Sequence, residues 1–139
     1  MKKMTVGFLI LILLVSLIPI SAIASDMTFR EFATLTGDLL LESMEDYNPS
    51  YYANNQALIA KMTFSADMEL TLAFLQTKDG LTSFHALRAS VLEASQAVMK
   101  TFDTLEYQNK FFIFEVQSQD GFPLLLIQNS EIAFDISNL

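Results

Sequence analysis

The sequence predicts an α+β fold, a two-layer sandwich of two helices packed on an antiparallel sheet of four to five strands. Three observations predict it. Apolar residues recur at helical spacing over 28–45 and again over 82–105. They alternate with a period of two from Leu58 to Phe74 and again between Lys110 and Ile136. Two helices with one apolar stripe each must bury those stripes, and a pleated sheet offers the surface to bury them on. The expected element order is α-β-β-α-β-β-β, in one domain spanning 25–139.

The first helix is expected from Thr28 to about Glu45. Phe29, Phe32, Ala33, Leu35, Leu39, Leu40 and Met44 fall on one face, with Glu31, Thr34, Asp38, Glu42 and Glu45 opposite. Asp26 or Thr28 can cap its start, and Asn48-Pro49 closes it. Gly37 sits mid-helix at a cost of about 1 kcal/mol relative to Ala, which predicts a close backbone contact.

Leu58, Ala60, Met62, Phe64, Met68, Leu70, Leu72 and Phe74 all hold even positions, with polar residues at most of the odd ones. Because 17 residues exceed one ordinary strand, the stretch predicts a hairpin turning at Ser65-Ala66-Asp67. Met, Leu, Glu and Ala also favour helix, so one long helix is the competing reading. Asp79-Gly80 then breaks the chain, and Thr82 or Ser83 caps a helix running to about Leu105. Its stripe is Phe84, Leu87, Val91, Ala94, Val98, Phe102 and Leu105.

Asp120-Gly121 signals a second hairpin. It pairs Gln119 with Phe122, Val116 with Leu125 and Phe114 with Ile127, and sets Pro123 opposite Ser118. No third strand should pair closely at that proline, which has no N–H to give. Asn129-Ser130 turns the chain into a last strand carrying Ile132, Phe134 and Ile136. Tyr47–Asn55 is expected as a loop.

The overall mean hydropathy of +0.37 is raised by the N-terminus. Lys2 and Lys3 precede the apolar run Val6–Ile18, Pro19 ends it, and Ala22-Ile23-Ala24 offers small residues for cleavage. This is the pattern of a secretory signal peptide over residues 1–24. A retained anchor of similar length is the alternative, and the two lysines then put the domain on the same, outer side. A secreted or periplasmic domain is expected, with no stable membrane insertion after cleavage. Removing Lys2 and Lys3 from eight basic residues leaves six against sixteen acids, a net charge of −10. Such a chain repels phosphate backbones, so no nucleic-acid partner is expected. With no cysteine, stability has to come from apolar burial rather than disulfides.

Enzymatic signatures are sparse. The glycines that remain, Gly37, Gly80 and Gly121, are too far apart for a phosphate or dinucleotide loop. His85 is the sole histidine, which with no cysteine removes the usual transition-metal sets, and no cofactor is expected. On a helix, Ser83 points to a different side from His85, so the two do not form a nucleophile–base pair. Glu42, Glu45 and Asp46 crowd the unfavourable C-terminal end of the first helix, where a calcium ion would relieve them. A hydrolase using carboxylates gathered only by the fold is a further alternative.

The last hairpin carries the leading functional expectation. If Phe112, Phe114, Val116, Leu125 and Ile127 face the core, then Phe111, Ile113, Leu124 and Leu126 face outward. A one-sided sheet is polar on its outer face, and four large apolar side chains there call for a cover, which is one of the chain's own helices, a second copy or another protein. A non-enzymatic binding or protein-interaction module is expected. Its partner is a second copy or another protein, met through this hairpin, with Tyr47, Tyr51 and Tyr52 at the rim.

Overall fold

The structure, a computed structural model that describes residues 27–138, is an α+β fold in which three helices pack with a five-stranded sheet. The expected signal peptide lies outside the described residues. Helix α1 (Phe29–Ser43) starts at a capping box: the Thr28 hydroxyl accepts from the Glu31 N–H, and the Glu31 carboxylate accepts from the Thr28 N–H. A 3-10 turn, Glu45–Tyr47, follows, and Asn48 takes a left-handed conformation (φ 47°) ahead of Pro49.

The segment expected as a loop contains strand β1 (Ser50–Ala53), which pairs antiparallel with β2 (Ala57–Thr63). Asn54 closes their turn, its side-chain oxygen accepting from the N–H groups of Gln56 and Ala57 at 2.8 Å each. This pairing displaces the expected hairpin over 58–74. Its first arm is a strand, but its second arm is helix α2 (Met68–Leu75). The Asp67 carboxylate accepts from the Leu70 N–H, so the supposed turn residue is a helix cap. Met68, Thr71 and Leu75 turn inward at helical spacing, leaving Leu70 and Leu72 exposed.

Helix α3 (Lys78–Thr104) also starts earlier than expected. Thr77 is its cap, accepting from the Gly80 N–H, so Asp79-Gly80 forms the first turn instead of breaking the chain. Strands β3 (Phe111–Gln117), β4 (Pro123–Gln128) and β5 (Glu131–Asp135) complete the sheet. The strands lie in chain order, and the sheet is mixed rather than antiparallel. The α2–α3 crossover brings β3 beside β2 in parallel, Ala57 opposite Phe111 through Thr63 opposite Gln117.

The last hairpin pairs Val116 with Leu125 and Phe114 with Ile127, as the sequence predicts. Its turn end differs. The register shifts after Val116 and sets Gln117, not Ser118, opposite Pro123, with Leu124 the extra residue of a bulge. Asn129 and Ser130 both have positive φ (49° and 71°), the conformation of a two-residue type I′ turn. Strand β5 pairs with Leu125–Gln128, so among the described residues no third strand reaches Pro123.

The core lies between the helices and one face of the sheet. Phe29, Phe32 and Leu40 of α1, and Phe84, Leu87, Val91, Val98 and Phe102 of α3, bury against Leu58, Met62, Phe112, Phe114, Leu125 and Ile127. The rings of Phe29 and Phe102 meet edge to face at 5.1 Å between centroids.

The close contact expected at Gly37 is with Tyr51. A Cβ on Gly37 would stand 2.4 Å from the Tyr51 ring, whose hydroxyl donates to Asp38 at 2.7 Å. Gly37→Ala normally favours a helix, but here it is expected to destabilise by about 1–3 kcal/mol through overpacking. In a Tyr51→Ala background the same change is expected to stabilise. Urea unfolding of the four proteins checks this, and equal effects in both backgrounds would refute it.

Candidate functional site

Alternation along the strands fixes what the far face of the sheet presents. With Leu58, Ala60 and Met62 turned to the helices, β2 shows Ala57, Ile59, Lys61 and Thr63 on the other side. By the same parity β3 shows Phe111, Ile113, Glu115 and Gln117. Strand β4 adds Leu126 and Gln128, β1 adds Ser50 and Tyr52, and β5 contributes Phe134 opposite Leu126. Ile59, Phe111, Ile113, Leu126 and Phe134 belong to neither the buried core nor its fringe. Both long helices make their strand contacts with the opposite, core-facing side.

The cross-strand register arranges these side chains in rows. One row runs Tyr52, Ile59, Ile113, Gln128; the next runs Ser50, Lys61, Glu115, Leu126, Phe134. Tyr52 is 61 % exposed and Phe111 40 %, while Ile59, Ile113, Leu126 and Phe134 are half-buried by their neighbours. Lys61 and Glu115 form an ion pair at 3.7 Å in the middle of this surface. Beside it, the Gln117 side-chain amide donates to the Thr63 hydroxyl at 3.1 Å. A polar centre thus sits beside the apolar side chains of Ile59, Ile113 and Leu126, an arrangement that suits docking more than chemistry.

Three of the four outward residues expected from the last hairpin, Phe111, Ile113 and Leu126, lie on this face. Leu124 does not: it is fully buried, because the bulge turns both Leu124 and Leu125 inward. The tyrosines divide. Tyr52 belongs to the outer face, Tyr51 holds α1 to β1 on the core side, and Tyr47 is half-buried against the core. The hydrogen bond that the Tyr51 hydroxyl donates to the Asp38 carboxylate raises that hydroxyl's pKa, and burial raises it further. Burial, followed by the Asp46 charge, raises the pKa of Tyr47. Ile59 and Phe134 are face residues that sequence reasoning missed. Ile59 carried a signal, being a large apolar residue at the odd parity otherwise held by Lys61 and Thr63.

The other candidates are not assembled. Glu42, Glu45 and Asp46 are all exposed, and among the described residues no group of three or more acidic or histidine side chains is placed to hold a metal ion. Among the described residues His85 makes no hydrogen bond to Ser83 or Asp79. A shallow groove of about 300 Å³ at the β4–β5 turn is lined by Gln128, Asn129, Glu131, Ile132 and Ala133. Glu131 is the one carboxylate lining it.

Among the described residues the one buried carboxylate, Asp135, is tied to Arg88 of α3 and accepts from the Ser137 hydroxyl and N–H. Burial pushes its pKa up, but the Ser137 and Arg88 hydrogen bonds and the Arg88 charge more than offset this and leave it lowered. A general acid needs the opposite shift. Among the described residues no helix is long and apolar enough to cross a membrane. No family model, curated protein or solved structure matches the chain.

Proposed function

We propose that this chain is a small, exported, non-enzymatic protein-interaction module that works through the open face of its sheet. One observation carries the reading: Tyr52, Ile59, Phe111, Ile113, Leu126 and Phe134 share a face that neither long helix covers. Contiguous exposed apolar surface is disfavoured on a monomer that meets no partner. The lowered pKa of Asp135 speaks for an ionised structural group, and the acids at the end of α1 stay solvated. The N-terminal Lys-Lys, apolar run and Ala-Ile-Ala site support export to the periplasm or the medium. An intact mass beginning at Ser25 is expected for the exported protein. A mass retaining residues 1–24 would refute cleavage.

Photo-crosslinking in the producing cell tests the surface. A photoreactive residue replacing Ile113 is expected to form adducts, whereas one replacing Glu93, exposed on α3, is not. Silence at position 113, with normal folding, would refute the interaction reading.

A further inference from the structure

We infer that the partner on the open sheet face is a second copy of this chain, paired face to face about a two-fold axis along the β2–β3 seam. The inference rests on the interaction reading above and names its partner. Strands β2 and β3 are parallel and in register over seven residue pairs, from Ala57 and Phe111 to Thr63 and Gln117. A two-fold axis parallel to the strands and between these two keeps every residue at its own height. It lays β2 of one copy over β3 of the other, and β1 over β4.

The side chains that then face each other are complementary in size and charge. Small Ala57 meets large Phe111, Ile59 meets Ile113, Lys61 meets Glu115 and Thr63 meets Gln117. Outside them, Ser50 meets Leu126 and Tyr52 meets Gln128. Each contact occurs twice, as an isologous interface requires. Stacked sheets lie about 10 Å apart and pack with strands within about 30° of parallel, within reach of these side chains.

Charge leaves this face, and not the rest of the surface, open to a second copy. After loss of Lys2 and Lys3 the chain carries −10, so two copies repel wherever acidic surfaces meet. On the outer face of β1 to β4, Lys61 and Glu115 are the only charged residues, and they cancel. A basic partner would be drawn elsewhere, to the acids of α1 and the turns. The four overlapping strands, β1 to β4, project to on the order of 400 Å², below the ~800 Å² per partner of a standard stable interface. The dimer is therefore reversible and concentration-dependent.

Sedimentation of protein made from the complete coding sequence tests this, over a concentration series reaching the high micromolar. The wild type is expected to pass from monomer to dimer. Lys61→Glu and Glu115→Lys each place like charges across the axis and are expected to weaken dimerisation roughly tenfold or more. Mixing these two variants in equal amounts is expected to restore it, since each then faces the opposite charge. The double variant in one chain is expected to dimerise as the wild type does. Both side chains are more than a third exposed, so circular dichroism is expected to show each single variant folded.

A wild type monomeric throughout, or dimerisation indifferent to both single variants, would overturn the inference. If the position-113 crosslinks then form at a mass other than two chains, the interaction reading stands and the partner is foreign. If no crosslink forms, both fall.

Discussion

Arg88→Met is expected to destabilise the protein by about 3 kcal/mol at neutral pH, because it strands a carboxylate inside the fold. Asp135 ends β5 with its side chain only 2 % exposed, and Arg88 reaches it from α3 with 27 % exposure. The figure stands at the low end for a broken buried pair for two reasons: Arg88 is partly solvated, and Ser137 still donates two hydrogen bonds to the carboxylate. The pH dependence identifies the cause. Asp135 has a lowered pKa in the fold, so it contributes stability that is present above the unfolded-state carboxylate value of about 3.9. That contribution is lost as pH falls through the folded value. Without Arg88 the buried acid gives up its charge more readily, and below about pH 4 the two proteins approach each other in stability. Denaturant unfolding at neutral pH and at acid pH measures the gap. A gap that stays constant on acidification would show that Arg88 acts through its packed stem and not its charge. Arg88→Met combined with Asp135→Leu is expected to recover most of the loss, since no unpaired charge then remains.

The layered α+β architecture was legible because its signals are global. Stripes such as Phe84, Leu87, Val91 and Val98 run for several turns, and a two-residue turn at Asn129-Ser130 leaves few alternatives. Short-range competition was not legible. Met68–Leu75 alternates as a strand should, yet one side of β2 is taken by Tyr51 and its neighbours and the other by β3. With both edges of β2 filled, the segment has no strand to join, and Asp67 is placed to cap it as a helix. The outer face was half legible. Parity assigned Phe111, Ile113 and Leu126 correctly, and it failed at Leu124, because a one-residue bulge reverses parity and leaves no mark in composition. Asp79-Gly80 misled for a related reason. The pair has the composition of a chain break, whereas its glycine answers to an approaching backbone.

That approach makes Gly80→Ala the second large effect, expected to cost about 3 kcal/mol even though alanine is the better helix former. A Cβ on Gly80 would stand 1.9 Å from the carbonyl oxygen of Phe74 and 2.7 Å from its carbon. These are backbone atoms, so no rotamer change makes room. The carbonyl is itself held, accepting from both the N–H and the hydroxyl of Thr77. Thr77 in turn caps α3 by accepting from the Gly80 N–H at 3.0 Å. Moving any one of these groups disturbs the others. The added methyl either breaks the cap, at about 1 kcal/mol, or levers α2 away from α3 and exposes Met68 and Leu75. Because α2 packs chiefly on α3, the damage is expected to start there. Hydrogen exchange should show Met68–Leu75 losing protection before the sheet does, with a lowered urea midpoint for the whole domain. An alanine variant as stable as the wild type would mean that the last turn of α2 does not rest on the first turn of α3. A crossover without that contact would leave 68–75 free to compete again for the edge of a sheet.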